Sequence, residues 1–171
     1  PVIAHNEIDY FLSIDEELQL AADISDNLGI DTAFVEFFLN GEAQESFSLT
    51  RDYDDRYIGD FPFNMNTLND GDEITYAIYA IDAATIPNGA RLPAIEKAFF
   101  SFKVEDLFDP VNYYSNNFNQ EMPDFVISDF DIYTAKNFND GALHSLHPYV
   151  APNIDNEDLE FSTFLKKPII I

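Results

Sequence analysis

His5, Asp23, Asp26, Asp31 and Asp82 are the side chains of this 171-residue chain whose spacing best suggests chemistry. Each sits at or near the end of an apolar run. If those runs are the strands of a seven-stranded sandwich, three places share one end: the start of the first strand, the loop after the second and the loop after the sixth. All five side chains would then gather there. Carboxylate oxygens in that number suit Ca²⁺, which takes about six to eight of them. The same Asp residues have a second use, accepting backbone N–H bonds as turn caps.

Other constellations are weaker. Arg51-Asp-Tyr-Asp-Asp-Arg56 carries its own counter-charges and reads as a solvated loop with local ion pairs; it lacks the Gly and terminal Glu of an EF-hand loop. His144-Ser-Leu-His147-Pro148 has an H-x-x-H spacing, but a catalytic zinc helix needs H-E-x-x-H, and on a strand residues three apart face opposite sides. Neither a G-x-S-x-G elbow nor a G-x-G phosphate cradle occurs, and Cys is absent. With 32 acidic residues, any chosen carboxylate pair is uninformative for glycoside hydrolysis. Tyr113, Tyr114, Tyr133 and Tyr149 would form either a carbohydrate platform or part of an aromatic core.

The elements that must position these groups are short strands. Apolar alternation marks Ile8 to Leu12, Leu18 to Ile24 and Ala33 to Leu39; Asn40-Gly41 is a hairpin turn leading into Gln44 to Leu49. Arg56 to Phe61, Asp72 to Asp82 and Ala98 to Val104 complete seven strands. Only Asp15 to Leu20 has a helical look, and its alternation argues against a helix. We therefore expect an all-β chain. Residues 1–104 form an immunoglobulin or fibronectin III-like sandwich, 105–112 a linker around Asp109-Pro110, and 113–171 part of a second, incomplete sandwich. The second part has candidate strands at Tyr113 to Phe118, Phe125 to Ile127, Phe130 to Thr134, Gly141 to Ser145 and Leu159 to Leu165.

Composition narrows the function classes. Seventeen Phe and 9 Tyr within 46% hydrophobic residues imply an aromatic, sheet-rich core. A net charge of −24 repels nucleic acid and anionic lipid, and no stretch nears the roughly 18 apolar residues of a membrane span. Without Cys there are no disulfides and no thiolate zinc sites.

Two stretches have the look of known families. Pro1-Val-Ile-Ala-His5, Asp26-Asn-Leu-Gly-Ile30, Tyr57-Ile-Gly-Asp-Phe-Pro62 and Gly71-Asp-Glu-Ile-Thr-Tyr-Ala-Ile-Tyr-Ala-Ile-Asp82 resemble the signature of bacterial immunoglobulin-like modules. The loop from Asp82 to Pro93 departs from that signature by its length, which brings a contact role for it into play. Asn117-Phe-Asn119, Asp129-Phe-Asp-Ile132, Asn137-Phe-Asn-Asp-Gly-Ala-Leu-His-Ser-Leu-His-Pro-Tyr149 and Leu165-Lys-Lys-Pro-Ile-Ile-Ile171 are similar to a jelly-roll segment of large exported Bacteroidetes proteins, with Asp129 and Asn137 in place of glycines.

The resemblance implies a multidomain protein exported by the type IX secretion route and working outside the cell or on its outer surface. The expected function is non-catalytic: spacing, adhesion and partner contact. The alternative is an accessory region holding substrate for a secreted metallopeptidase or glycan-degrading hydrolase. Calcium is the one cofactor in view, and glycan a possible ligand. The resemblance also makes Ile169 to Ile171 an inner strand, to be covered by the rest of the parent chain or by a protein partner.

Overall fold

Alternation in the sequence becomes a two-sheet sandwich in the first of two compact units, Pro1–Asp106. The structure, a computed structural model, describes residues 1–64, 67–120, 123–126, 130–137, 139–145 and 163–171. One sheet has the order β1 (Val2–Ala4), β3 (Gln19–Ser25), β8 (Arg56–Asp60), β7 (Thr50–Tyr53), all antiparallel. The other runs β2 (Tyr10–Leu12), β11 (Phe100–Glu105), β9 (Glu73–Asp82), β4 (Ile30–Leu39), β5 (Glu42–Ala43). In that second sheet β6 (Phe47–Ser48) also pairs with β4, and β10 (Gly89–Leu92) continues the β11 edge of β9.

Strand β9 organises this unit. Ile74, Tyr76, Ile78 and Ala80 point inward at every second position and are fully buried, facing the layer of Leu20, Ala22 and Ile24 on β3. Its register against β4 is continuous from Leu39↔Ile74 to Thr32↔Ile81, with one irregularity between Ile30 and Thr32. A one-residue slip would turn the whole apolar row to solvent, so burial fixes the pairing. Asn40 and Gly41 take φ of 51° and 80°, the mirror-image turn that closes β4 onto β5.

Aromatic packing fills one end. Phe61 meets Phe37, Phe47, Phe63, Tyr76 and Phe102 at centroid separations of 4.9 to 5.8 Å. Its own N–H is bonded to Leu18 O at 2.9 Å. Gly59 lets β8 pass close by, since a Cβ there would meet Ser48 O and Leu49 Cδ2 at 2.8 Å.

Four expectations change. The expected first strand, Ile8 to Leu12, reduces to β2, which runs parallel to β11, while Val2–Ala4, not expected as a strand, is β1 and pairs with β3 in the other sheet. Thr50–Tyr53, read as part of a loop, is strand β7; all four residues are exposed, so no alternation announces it. Gly89–Leu92 is strand β10, and residues 93–99 bulge out between it and β11. The expected strand Gln44 to Leu49 reduces to the two residues of β6.

The second unit, Leu107–Ile171, is also built of strands. β12 (Phe125–Val126) pairs with β15 (Phe164–Leu165), and β13 (Phe130–Tyr133) with β14 (Ala142–Ser145). Tyr113 to Phe118 forms no strand, because Asn116 Oδ1 and Asn117 Oδ1 capture the N–H groups of Phe118 and Asn119 in local turns. Much of the expected linker is taken up as well: Phe108 N–H donates to Lys166 O and Val111 N–H to Pro168 O, at 2.8 and 2.9 Å. Ile169 forms a parallel bridge with Val111, and the Ile169, Ile170 and Ile171 side chains are exposed. Residues 127, 129, 138, 146–150 and 159–162, named in the strand and motif readings above, lie outside the described residues.

Phe61→Ala should remove about 3–5 kcal/mol from unfolding in urea, as expected for an aromatic side chain deleted from a packed core. Ile14→Ala, at an exposed position, should change stability by less than about 0.5 kcal/mol.

Candidate functional site

The end of the sandwich expected to gather carboxylates does bring two of them together. Asp82 ends β9 and is buried, in step with Ile78 and Ala80. Its Oδ1 accepts from the backbone N–H of Asn88 at 2.9 Å and of Ala84 at 3.2 Å, and its Oδ2 from the Asn88 side-chain amide at 2.8 Å. Asp82 N–H in turn donates to Asn88 O at 3.0 Å, closing residues 83–87 into a clasped loop. Asp26 does the same for the loop between β3 and β4: its Oδ1 accepts from Leu28 N–H at 2.8 Å, and Gly29 continues the turn at φ 86°. Its Oδ2 lies 3.0 Å from the nitrogen of Pro1. Ala83 N–H donates to Gly29 O at 3.0 Å and ties the two loops together.

These donors set the electrostatics. The Asn88 side-chain amide, followed by its backbone N–H, holds the Asp82 carboxyl below the usual carboxylate range. Leu28 N–H does the same for Asp26, opposed by a weaker repulsion from Asp82. Asp23 and Asp31 do not join them. Asp23 lies exposed on the outer face of β3, between buried Ala22 and Ile24, and exposed Asp31 accepts the Thr32 hydroxyl at 3.0 Å. Among the described residues no three His, Asp or Glu side chains converge on a point where an ion would sit. The Asp26 and Asp82 oxygens accept N–H groups of their own loops.

His5 leaves the cluster for a different task. It follows β1 at the point where the chain leaves the first sheet. Its Nδ1 lies 2.7 Å from Ala21 O on β3, and its Nε2 lies 2.7 Å from the Tyr76 hydroxyl on β9. A carbonyl only accepts, so Nδ1 carries the proton and Nε2 accepts from Tyr76. The Tyr76 oxygen then accepts the N–H of Ile8 at 3.3 Å. The imidazole packs edge-on against Tyr76 and Phe100, with centroids 5.6 and 5.4 Å away. Burial pushes the His5 pKa down, against the opposing pull of Ala21 O, and pushes the Tyr76 phenol up. Both imidazole nitrogens are engaged in joining the two sheets.

Elsewhere the candidates divide. Arg51 and Arg56 sit 3.9 and 3.8 Å from Asp55 and Asp52, the local ion pairs expected, although on a hairpin. His144 lies on β14 with Nδ1 at 2.7 Å from Ser145 O, whereas His147, Pro148 and Tyr149 lie outside the described residues. Of the tyrosines, Tyr113 and Tyr133 are exposed, and Tyr114 donates to Asp124 Oδ2 at 3.1 Å.

One residue was not singled out from sequence. Arg91, on β10, donates from Nε to the Tyr79 hydroxyl at 3.0 Å and from Nη1 to Ile95 O at 3.0 Å. It also donates to the carbonyls of Pro93 and Ala98. Its guanidinium lies over the Phe99 ring at 4.9 Å, pinning the 93–99 bulge to the outer face of β9. The sequence signal was a single cation within the apolar stretch Ala90 to Pro93.

Compared with known protein families and with curated proteins, the chain matches no family model and no curated protein.

Two outcomes follow from this geometry. The melting midpoint should agree to within about 1 °C between millimolar calcium and EDTA, whereas a clear rise with calcium would place an ion here by mass action. For His5, the unfolded chain binds a proton below about pH 6.5 while the folded imidazole resists it, so the His5 contribution is complete above that pH. It is lost as pH falls through the lowered folded value. Stability measured from pH 7.5 down to 5 should therefore drop more steeply in the wild type than in His5→Gln; parallel profiles would refute the buried neutral imidazole.

Proposed function

We propose that this chain is a non-catalytic structural and adhesive stretch of a larger secreted or cell-surface bacterial protein, its sandwich spacing other parts and offering loops to a partner. The observation that carries this reading is where the chemistry-bearing side chains are spent. His5 joins the two sheets, and Asp26 and Asp82 clasp two loops at one end. The resemblance to bacterial immunoglobulin-like modules supports it too, because the matching motifs fall on β1 with His5, on the Asp26 turn and on the central strand β9. Similarity of residues 113–171 to a jelly-roll segment of exported Bacteroidetes proteins supports the type IX route and a site of action at the outer surface.

A second reading, substrate holding for a neighbouring hydrolase, is favoured by one feature of the second unit. Ser115, Asn116, Asn117 and Gln120 line an open polar depression of about 550 Å³, two residues along the chain from exposed Tyr113. Side-chain amides are polar groups that can orient a bound glycan.

An in-frame deletion of the 171 codons in the source bacterium separates the two. Loss of adhesion with unchanged hydrolysis of extracellular polymers is expected. Reduced hydrolysis with normal adhesion would favour the substrate-holding reading, and failure of antibodies to label intact cells would overturn both.

A further inference from the structure

Six large hydrophobic side chains are left exposed among the described residues of the first unit: Val2, Ile14, Leu28, Tyr53, Ile86 and Ile95. Four of them belong to one end of the sandwich. Val2 pairs with Ser25 at the top of β3, Leu28 is in the turn that follows β3, Tyr53 precedes the turn into β8 and Ile86 caps the loop after β9. The backbone proves the neighbourhood: Ala83 N–H bonds to Gly29 O and Ile24 N–H to Asp55 O. Scattered single apolar residues need no explanation, but a concentration at one end does.

These side chains are also held ready. Asp26 fixes the turn bearing Leu28, and Asp82 with Asn88 fixes the loop whose tip shows Ile86 at 83% exposure. Clasping a loop while leaving its apolar tip in water lowers the entropy lost when that tip docks. Around the apolar tips, Asp23, Asp31, Asp52, Asp54 and Asp55 are exposed, and the two arginines of this end, Arg51 and Arg56, already face Asp55 and Asp52.

We infer that this end of the sandwich is a docking surface for a protein segment that sets bulky apolar side chains among Lys and Arg. The inference rests on the partner-contact reading and names its surface. The two loop side chains, Leu28 and Ile86, are aliphatic and offer no flat face for a sugar to stack on, and the acidic rim selects a basic partner. A second copy is disfavoured, because it brings the same rim and the same net charge of −24.

The test uses the whole chain and a defined probe. A random peptide library displayed on phage is panned against it, and the recovered peptides are synthesised and titrated by calorimetry. They should combine bulky apolar residues with Lys or Arg. Leu28→Ser and Ile86→Ser should each weaken binding at least about tenfold with unchanged melting curves, while Ile95→Ser, exposed on the 93–99 bulge, leaves it unaltered. Raising salt from about 0.05 to 0.5 M should weaken it several-fold more. Peptides indifferent to both loop substitutions would overturn the surface, as would a dimer in sedimentation that Ile86→Ser abolishes. Either result leaves the adhesion phenotype of the deletion standing, whereas normal adhesion in that strain removes the partner-contact reading whatever the peptides do.

Discussion

Tyr76 is the largest side chain with essentially no exposure in the sandwich, and its hydroxyl cannot be left without a partner in an aromatic surround. An unsatisfied buried hydroxyl costs about 1–3 kcal/mol, a large share of the stability of a domain this size. His5 and the N–H of Ile8 meet that demand from the segment that crosses between the sheets. The chain therefore crosses between the sheets from β1 to β2 at this point. β1 stays with β3, the imidazole reaches across to β9, and β2 joins the far edge of the other sheet.

The opposite end of β9 follows the same logic with a charge in place of a hydroxyl. Alternation carries Asp82 inward behind Ile78 and Ala80, where a carboxylate needs several donors. The loop 83–88 supplies them from its own backbone and from Asn88. A sequence that buries Asp there thus obtains an ordered loop, and through Ala83 and Gly29 a neighbour ordered with it. Asp26 and Asp82 each clasp a loop, and the loops they hold show apolar tips to solvent.

Much of this was legible from sequence where burial imposes a period. Strands β3, β4, β8 and β9 stand within about three residues of their expected bounds because each alternates against the core. Asn40-Gly41 was legible because only a few residues accept that turn. β1 and β10 were not, being three and four residues long, and β7 has no buried face to leave a pattern. Topology placed Asp26 and Asp82 at one end. It could not tell that the donors would be the loops' own N–H groups, nor that His5 would pair with a tyrosine 71 residues away. In the second unit, Asn side chains bonding locally between 116 and 119 defeated a strand reading based on apolar alternation.

The most direct measurement is of the His5 imidazole by ¹⁵N NMR in the intact chain at neutral pH. A buried bridge between the sheets requires the neutral ring with its proton on Nδ1 and a bare Nε2 receiving the Tyr76 hydroxyl. An imidazolium, a ring protonated on Nε2, or one averaging between the two forms would contradict it.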